Sequence, residues 1–292
     1  MTKPHVIFIV GPTAVGKSAF AVNLAHETGG EIVSADSMQV YKGLDLGTAK
    51  PSLKERQDIE HHMIDVAEPD ADYSAAEYST AAQAAIDDIL ARGKQPIVCG
   101  GSGLYVHSLL FELDFAGRSG DEKLRERLTC EAEEKGVEHL FAQLLNIDPS
   151  AADHVHPNNV KRVIRALERA YGDIEREGLR DFSGTFDMRQ RYDPRIMRLT
   201  MDREALYNRI ERRAQGFFER GLMNEVRRLL DSGVPRKANS MQGIGYKECI
   251  AVLDGTIDEA EALRLVQQNT RRYAKRQETW FKRYTDAEIV VN

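Results

Sequence analysis

The chain has 292 residues, 42% of them hydrophobic and 29% charged, enough to bury the core of one large domain or two modest ones. No apolar stretch approaches a membrane span, and no basic leader with a cleavage site is expected, so no membrane partner is foreseen. Three scattered cysteines (Cys99, Cys130, Cys249) exclude a disulfide scaffold and a cysteine-rich zinc module, and they fit a cytoplasmic protein.

Val6-Ile7-Phe8-Ile9-Val10 is a continuous apolar run of the kind buried on both faces of a parallel sheet. It leads into Gly11–Ser18 and then a helical stretch from Ala19 to His26, closed by Gly29-Gly30. Glu31-Ile32-Val33-Ser34-Ala35 reads as a second strand, Tyr73 to Arg92 as an alanine-rich helix, and Pro96-Ile97-Val98-Cys99 as a third strand. This alternation predicts a doubly wound α/β core. From about Gly117 to Arg191 the texture becomes helical and charged, as in Lys123–Lys135 and Asn159–Tyr171. Ile196–Thr200 returns to the sheet, followed by helices over Arg203–Arg220, Met223–Asp231 and Glu259–Tyr284. The expected architecture is a P-loop NTPase-like parallel sheet flanked by helices. Its core comprises residues 1–117 and 191–292, with a helical insert over 118–190.

The formal net charge of −6 argues against a phosphate-rich partner, but it is unevenly spread. Between Arg264 and Tyr284 seven basic residues face only Glu278, a local +6, which leaves −12 for the remainder.

Gly11-Pro12-Thr13-Ala14-Val15-Gly16-Lys17-Ser18 matches GxxxxGK[ST], placed after a buried strand and opening a helix. Such a loop aims backbone N–H groups at phosphate oxygens, the helix N-terminus adds its dipole, Lys17 adds a point charge, and Ser18 offers a hydroxyl suited to Mg²⁺. The chain is expected to bind a di- or triphosphate. Kinases with this loop usually add an acidic residue at the end of an apolar strand. Ile97-Val98-Cys99-Gly100-Gly101 ends without one.

Asp36 follows the second strand, expected beside the phosphate loop, at the sheet edge where ligands bind. A carboxylate there can act as a general base or ligate a metal; position alone leaves an Asx-turn or helix cap equally open. Ser102 after Gly100-Gly101 reads, on its own, as a helix cap, and Arg213 as one of many helical surface arginines. The adjacent His61-His62 have no third ligand at metal spacing and read as structural.

Seven segments resemble the tRNA dimethylallyltransferase (tRNA isopentenyltransferase) family of bacterial type. They are Gly11–Ser18, Asp36–Tyr41, Gly47–Pro51, Gly100–Tyr105, His156–Asn158, Gly243–Tyr246 and Ala274–Phe281, which span nearly the whole chain in the family's order. Ser18 and Ser102 stand where the family commonly has Thr; both keep a hydroxyl. The resemblance implies transfer of a dimethylallyl group from dimethylallyl diphosphate to the exocyclic amine of the adenosine 3′ of the anticodon, tRNA position 37. It implies Asp36 as base, Ser102 near the reacting diphosphate oxygen, and Arg213 with Gly11–Ser18 on the diphosphate. Ser18 and Mg²⁺ form the implied metal site.

The implied partner is the tRNA anticodon stem-loop, bound by a monomer. Extruding a base from a loop calls for phosphate contacts plus stacking. By resemblance the contacts come from Asp36, Ser37, Met38 and Gln39; from Arg125; and from Lys161, Arg162, Val163, Ile164 and Arg165. They come also from Gln242, Gly243, Ile244, Gly245, Tyr246 and Lys247, and from Lys275, Arg276, Gln277, Glu278, Thr279, Trp280, Phe281 and Lys282. Taken singly, a basic run on a helix is usually a solvated face, and Trp280 is as much a packing anchor as a stacking platform. The phosphate loop alone also admits a small-molecule kinase, an adenine-nucleotide prenyltransferase or a non-catalytic RNA binder.

Overall fold

The run His5–Val10 forms strand β1, and Val6, Phe8, Ile9 and Val10 are wholly inaccessible to solvent, as a strand covered on both faces must be. The computed structural model describes residues 3–111, 122–171 and 191–292. These fall into two compact units, Met1–Glu112 with Arg189–Asn292, and Leu113–Met188. The expected insert boundaries at 118 and 190 lie outside the described residues.

In the first unit, β1 is followed by α1 (Lys17–Thr28), β2 (Gly30–Ala35), α2 (Leu53–Arg56), β3 (His61–His62), α3 (Ala75–Ala91), β4 (Gln95–Gly100) and α4 (Gly103–Leu110). In the second unit come α5 (Glu122–Lys135), α6 (Val137–Ile147), α7 (Pro149–Ala152) and α8 (Val160–Tyr171). The first unit resumes with β5 (Asp193–Thr200), α9 (Arg203–Glu219), α10 (Leu222–Asp231), α11 (Tyr246–Leu253), α12 (Glu259–Phe281) and β6 (Glu288–Val291).

The six strands form one parallel sheet in the order β3-β2-β4-β1-β5-β6. Ile7 and Ile9 of β1, Ile97 of β4 and Leu199 of β5 pack against Ala21, Val22 and Ala25 of α1 and Leu206 and Ile210 of α9. One expectation needs correcting. The strand that leads to Asp36 is not beside the phosphate-loop strand, because β4 lies between them, with Ala35 registered against Gly100. The two strand ends still open on the same edge, since all the strands are parallel.

Helix α3 begins at Ala75 rather than Tyr73 because Ser74 and Glu77 close a reciprocal capping box. The edge strand β6 was not foreseen: Glu288–Val291 is a short, mostly exposed run that pairs with β5 alone. His61 and His62 form β3. His62 Nε2 lies 2.8 Å from the buried Glu31 carboxylate, which also binds Arg92 and Lys94. These partners hold the Glu31 carboxyl well below the usual range, the hydrogen bonds from Arg92 contributing most.

The second unit has its own core, in which Leu128, Leu140, Leu144, Val163, Ile164 and Leu167 are buried together. No strand occurs among its described residues.

Candidate active site

The phosphate loop leaves β1 at Gly11 and reaches α1 at Gly16, whose φ of +101° sets the helix N-cap. Ala14 takes a left-handed φ of +66°, tightening the curl between them. Lys17 Nζ folds back to donate to the Gly11 and Pro12 carbonyls at 3.0 and 2.8 Å, which places its charge over the loop. Burial pushes this ammonium down to about 8, against the opposing pull of Cys99 and Asp36. Ser18 lies exposed one residue on.

Asp36 begins the turn after β2. Its Oδ1 accepts from the Met38 and Gln39 amides at 2.9 and 3.4 Å, and among the described residues Oδ2 takes no hydrogen bond. The Asx-turn and a chemical role are therefore compatible: one oxygen holds the turn and the other is left over. The Asp36 charge reaches Lys17, Arg213 and Tyr273. The carboxylate thus shares a field with the phosphate loop despite the intervening strand.

Ser102 sits at the N-cap of α4 yet makes no capping bond. Its Oγ accepts from the Ser37 amide at 2.8 Å and donates to Ser37 Oγ at 3.1 Å. This ties the Gly100–Ser102 turn to the Asp36 turn. Arg213 Nη1 donates to Thr13 Oγ1 at 3.4 Å, and its guanidinium lies 5.3 Å from the Phe217 ring centre. Arg213 is half-buried against Thr13 and Phe217, and this burial lowers its pKa.

Gln277 departs from the RNA-contact expectation. It is 5% exposed, accepts the Thr13 amide at 2.8 Å and donates to the Gly101 carbonyl at 2.9 Å. Tyr273, a turn earlier on α12, lies in the field of Asp36, and burial pushes its hydroxyl up to about 12. Sequence reasoning missed Tyr273; its i, i+4 relation to Gln277 was the available signal.

The Gly47–Pro51 and Gly243–Tyr246 segments meet. The Tyr246 ring is buried over Gly47, where a Cβ would come within 2.5 Å of a ring carbon, and Met38 packs on Gly243. Tyr246 therefore faces inward and not toward an RNA. Gln39 also turns inward, donating to the Thr48 and Ala49 carbonyls at 3.2 and 3.3 Å. Gln242 and Lys247 are exposed, while Ile244 is half-buried and Gly245 buried.

On α12 and its C-cap Lys282, residues Lys275, Arg276, Thr279 and Lys282 are exposed, Glu278 is half-buried and Phe281 is fully buried. Trp280 covers Gly103, and Arg283 stacks over the indole at 5.0 Å, so its ring is a packing anchor. In the second unit, Lys161, Arg162 and Arg165 lie on the exposed face of α8. Val163 and Ile164, expected to touch RNA, are instead core residues of that unit, because their helical spacing turns them inward. Arg125 Nε donates to Glu168 at 2.6 Å, and Arg165 reaches the same carboxylate at 3.3 Å.

A sequence model of the IPP transferase family matches residues 39–284. The chain belongs to this family. A tRNA dimethylallyltransferase of Alkaliphilus metalliredigens is 46% identical, covering 98% of this chain and 91% of the relative. One of Exiguobacterium is 47% identical over 98% and 90%. The full-length tRNA isopentenylpyrophosphate transferase of Bacillus halodurans superposes with a TM-score of 0.73 at 39% identity, covering 99% of this chain and 90% of that one. A eukaryotic dimethylallyltransferase acting on tRNA gives a TM-score of 0.80 at 29% identity, covering 99% and 74%. The IPP transferase match takes in the Gly47, Ser102, Gly243 and Lys275–Phe281 segments, and the nearly full-length relatives take in the phosphate loop as well.

Proposed function

We propose that this IPP transferase moves a dimethylallyl group from dimethylallyl diphosphate to the N6 amine of the adenosine 3′ of the anticodon, at tRNA position 37. The observation that carries the reading is that a phosphate loop and a carboxylate with an unused oxygen open on one sheet edge. The N6–C1 bond forms as the C1–O bond breaks. Diphosphate leaves with the electron pair, and the amine's proton passes to Asp36. The loop amides, Lys17 and Arg213 stabilise the charge that grows on the leaving oxygens. General-base help to a weakly nucleophilic amine is worth about 10²–10⁴-fold. Ser102 holds the Asp36 turn through Ser37.

The donors present suit Mg²⁺. The exposed Ser18 hydroxyl is a hard oxygen, and no cluster of three or more His, Cys, Asp or Glu side chains suited to a metal occurs among the described residues. A cation here would draw most of its ligands from diphosphate and water, as Mg²⁺ does, and would neutralise leaving-group charge. Among the described residues no helix is long and apolar enough to cross a membrane. Action on tRNA implies a cytoplasmic site, and one chain carries both the cradle and the base, so a monomer suffices.

The test is incubation of the protein with unmodified tRNA, dimethylallyl diphosphate and Mg²⁺, followed by mass spectrometry of the digested nucleosides. N6-dimethylallyladenosine is the expected product, with AMP a poor acceptor. Unchanged tRNA with folded protein refutes the proposal, and phosphate transfer from ATP without RNA points to a kinase.

A further inference from the structure

Helix α10 buries Leu222, Val226 and Leu229 along one stripe, and Glu225 occupies a fourth inward position in that stripe. The residue is 2% exposed. Among the described residues its carboxylate takes three hydrogen bonds and none comes from a cation. Leu46 N donates to Oε2 at 2.9 Å, Gly47 N to Oε1 at 3.4 Å, and the Tyr246 hydroxyl to Oε1 at 2.6 Å. Burying a carboxylate without a counter-charge is costly, and a leucine would complete the stripe without that cost. The acid is therefore explained by what it holds.

What it holds leads back to Asp36. The Leu46–Gly47 backbone is fixed on one side by Glu225, with the Tyr246 ring lying over Gly47. The next two carbonyls, Thr48 and Ala49, are fixed on the other side by the Gln39 amide. Gln39 Oε1 accepts from Ser34 Oγ at 3.1 Å, and its backbone N–H donates to Asp36 Oδ1 at 3.4 Å. A continuous chain of hydrogen bonds and covalent links thus runs from α10 to the oxygen that orients the carboxylate. It does not pass through Thr13, Lys17 or Gly101, which belong to the phosphate cradle.

We infer that Glu225 is a positioning residue for the acceptor side of the reaction: it sets the orientation of Asp36 through the Leu46–Ala49 loop and Gln39, and leaves the diphosphate cradle untouched. The inference rests on the proposed prenyl transfer to tRNA.

The experiment compares wild type, Glu225→Gln and Tyr246→Phe. Three readouts are taken: kcat and KM with tRNA, Kd for the unreactive analogue dimethylallyl S-thiolodiphosphate, and amide hydrogen exchange without substrate. Glu225→Gln turns an amide donor toward the Leu46 or Gly47 N–H. It is expected to lower kcat about 10- to 100-fold, the scale of a small misplacement of a reacting group. The analogue Kd should stay within about twofold, the effect on the separate cradle being less than that of one neutral hydrogen bond. Exchange should rise in peptides covering residues 38–50. Tyr246→Phe removes one hydrogen bond, keeps the ring over Gly47, and is expected to lower kcat about 3- to 10-fold with the same exchange signature. It carries the test if the first variant does not fold. Normal kcat, unaltered exchange at residues 38–50, or an equal loss of analogue binding overturns the inference. Absence of prenylated adenosine from the wild-type reaction refutes the proposed function instead, and the exchange data then report on the Glu225 linkage by themselves.

Discussion

Gln277 accepts the backbone N–H of Thr13 at 2.8 Å, joining the long C-terminal helix to the middle of the phosphate loop. The other end of the same amide donates to Gly101, so one side chain spans the two turns that flank the site. Gln277→Ala leaves a half-buried N–H and a buried carbonyl without this partner. We expect diphosphate to bind roughly 10-fold more weakly, about 1–2 kcal/mol, with the fold retained. Gln277→Glu is expected to be worse, because it sets a carboxylate against both a carbonyl and an anionic ligand. Calorimetric titration with dimethylallyl S-thiolodiphosphate measures both, and unchanged affinity in Gln277→Ala would falsify the tether.

The Asx-turn made by Asp36 dictates which substitution isolates its chemistry. Alanine removes the turn and the base together, whereas asparagine keeps an acceptor for the Met38 and Gln39 amides. Asp36→Asn is expected to lower single-turnover prenylation by about 10²–10⁴-fold while analogue binding persists. Near-normal turnover in Asp36→Asn removes the general-base role.

Lys17 titrates near 8 because burial disfavours its charged form. An anionic ligand favours that form, so the pKa rises in the complex. Between the two values binding takes up a proton, and affinity for the analogue must fall as pH rises above about 8. Below that value Lys17 is already protonated and contributes no slope. Titrations at pH 7 to 10 in buffers of different ionisation enthalpy report the uptake directly. Lys17→Arg should flatten the profile, since an arginine stays charged throughout. A wild-type affinity that is level across this range contradicts the assignment.

The Tyr246 ring over Gly47 makes a stability prediction that needs no activity assay. A methyl at residue 47 collides with a buried aromatic that is itself hydrogen-bonded to Glu225. Gly47→Ala is expected to cost about 1–3 kcal/mol and to lower the thermal midpoint by several degrees. The double variant Gly47→Ala/Tyr246→Leu should recover part of that loss. An undisturbed midpoint in the single variant would show that the ring moves aside freely.

The sheet, the phosphate loop and the long helices were legible because each has a local signature. Val6–Val10 is continuously apolar, Gly11–Ser18 has fixed spacing, and α12 has helical periodicity. The strand order was not legible: placing β4 between β1 and β2 is a choice of crossover that no residue of Glu31–Ala35 records. The edge strand β6 escaped for the same reason, since four residues at an edge form only because β5 is there to pair with. Within the site, the residues were found more readily than the direction they face. Gln277, Tyr246, Val163 and Ile164 all lie in segments expected to touch RNA, yet each points into a core or a turn. Burial depends on what packs opposite, and that partner is distant in sequence. Glu225 did carry a signal, as an acid interrupting an i, i+3, i+4 apolar stripe.

Charge along α12 gives the last prediction. Of the seven basic residues between Arg264 and Tyr284, Arg264 pairs with Glu261 and Arg271 with Glu211. Arg272, Lys275, Arg276 and Lys282 are exposed, and the first three recur at helical spacing on one face, opposite Ala274, Gln277 and Phe281. The local +6 therefore overstates the charge presented to a phosphate backbone. Each neutralised phosphate contributes roughly 0.7 to 0.9 to the slope of log affinity against log salt concentration. Lys275→Ala and Arg276→Ala should each weaken anticodon stem-loop binding and reduce that slope by about one such unit. Arg264→Ala, which removes a residue already paired, should leave it unchanged. Filter binding between low and moderate salt separates these outcomes. Equal effects from Arg264 and Arg276 would mean that the charge of the segment acts as a whole and that its location on the helix does not matter.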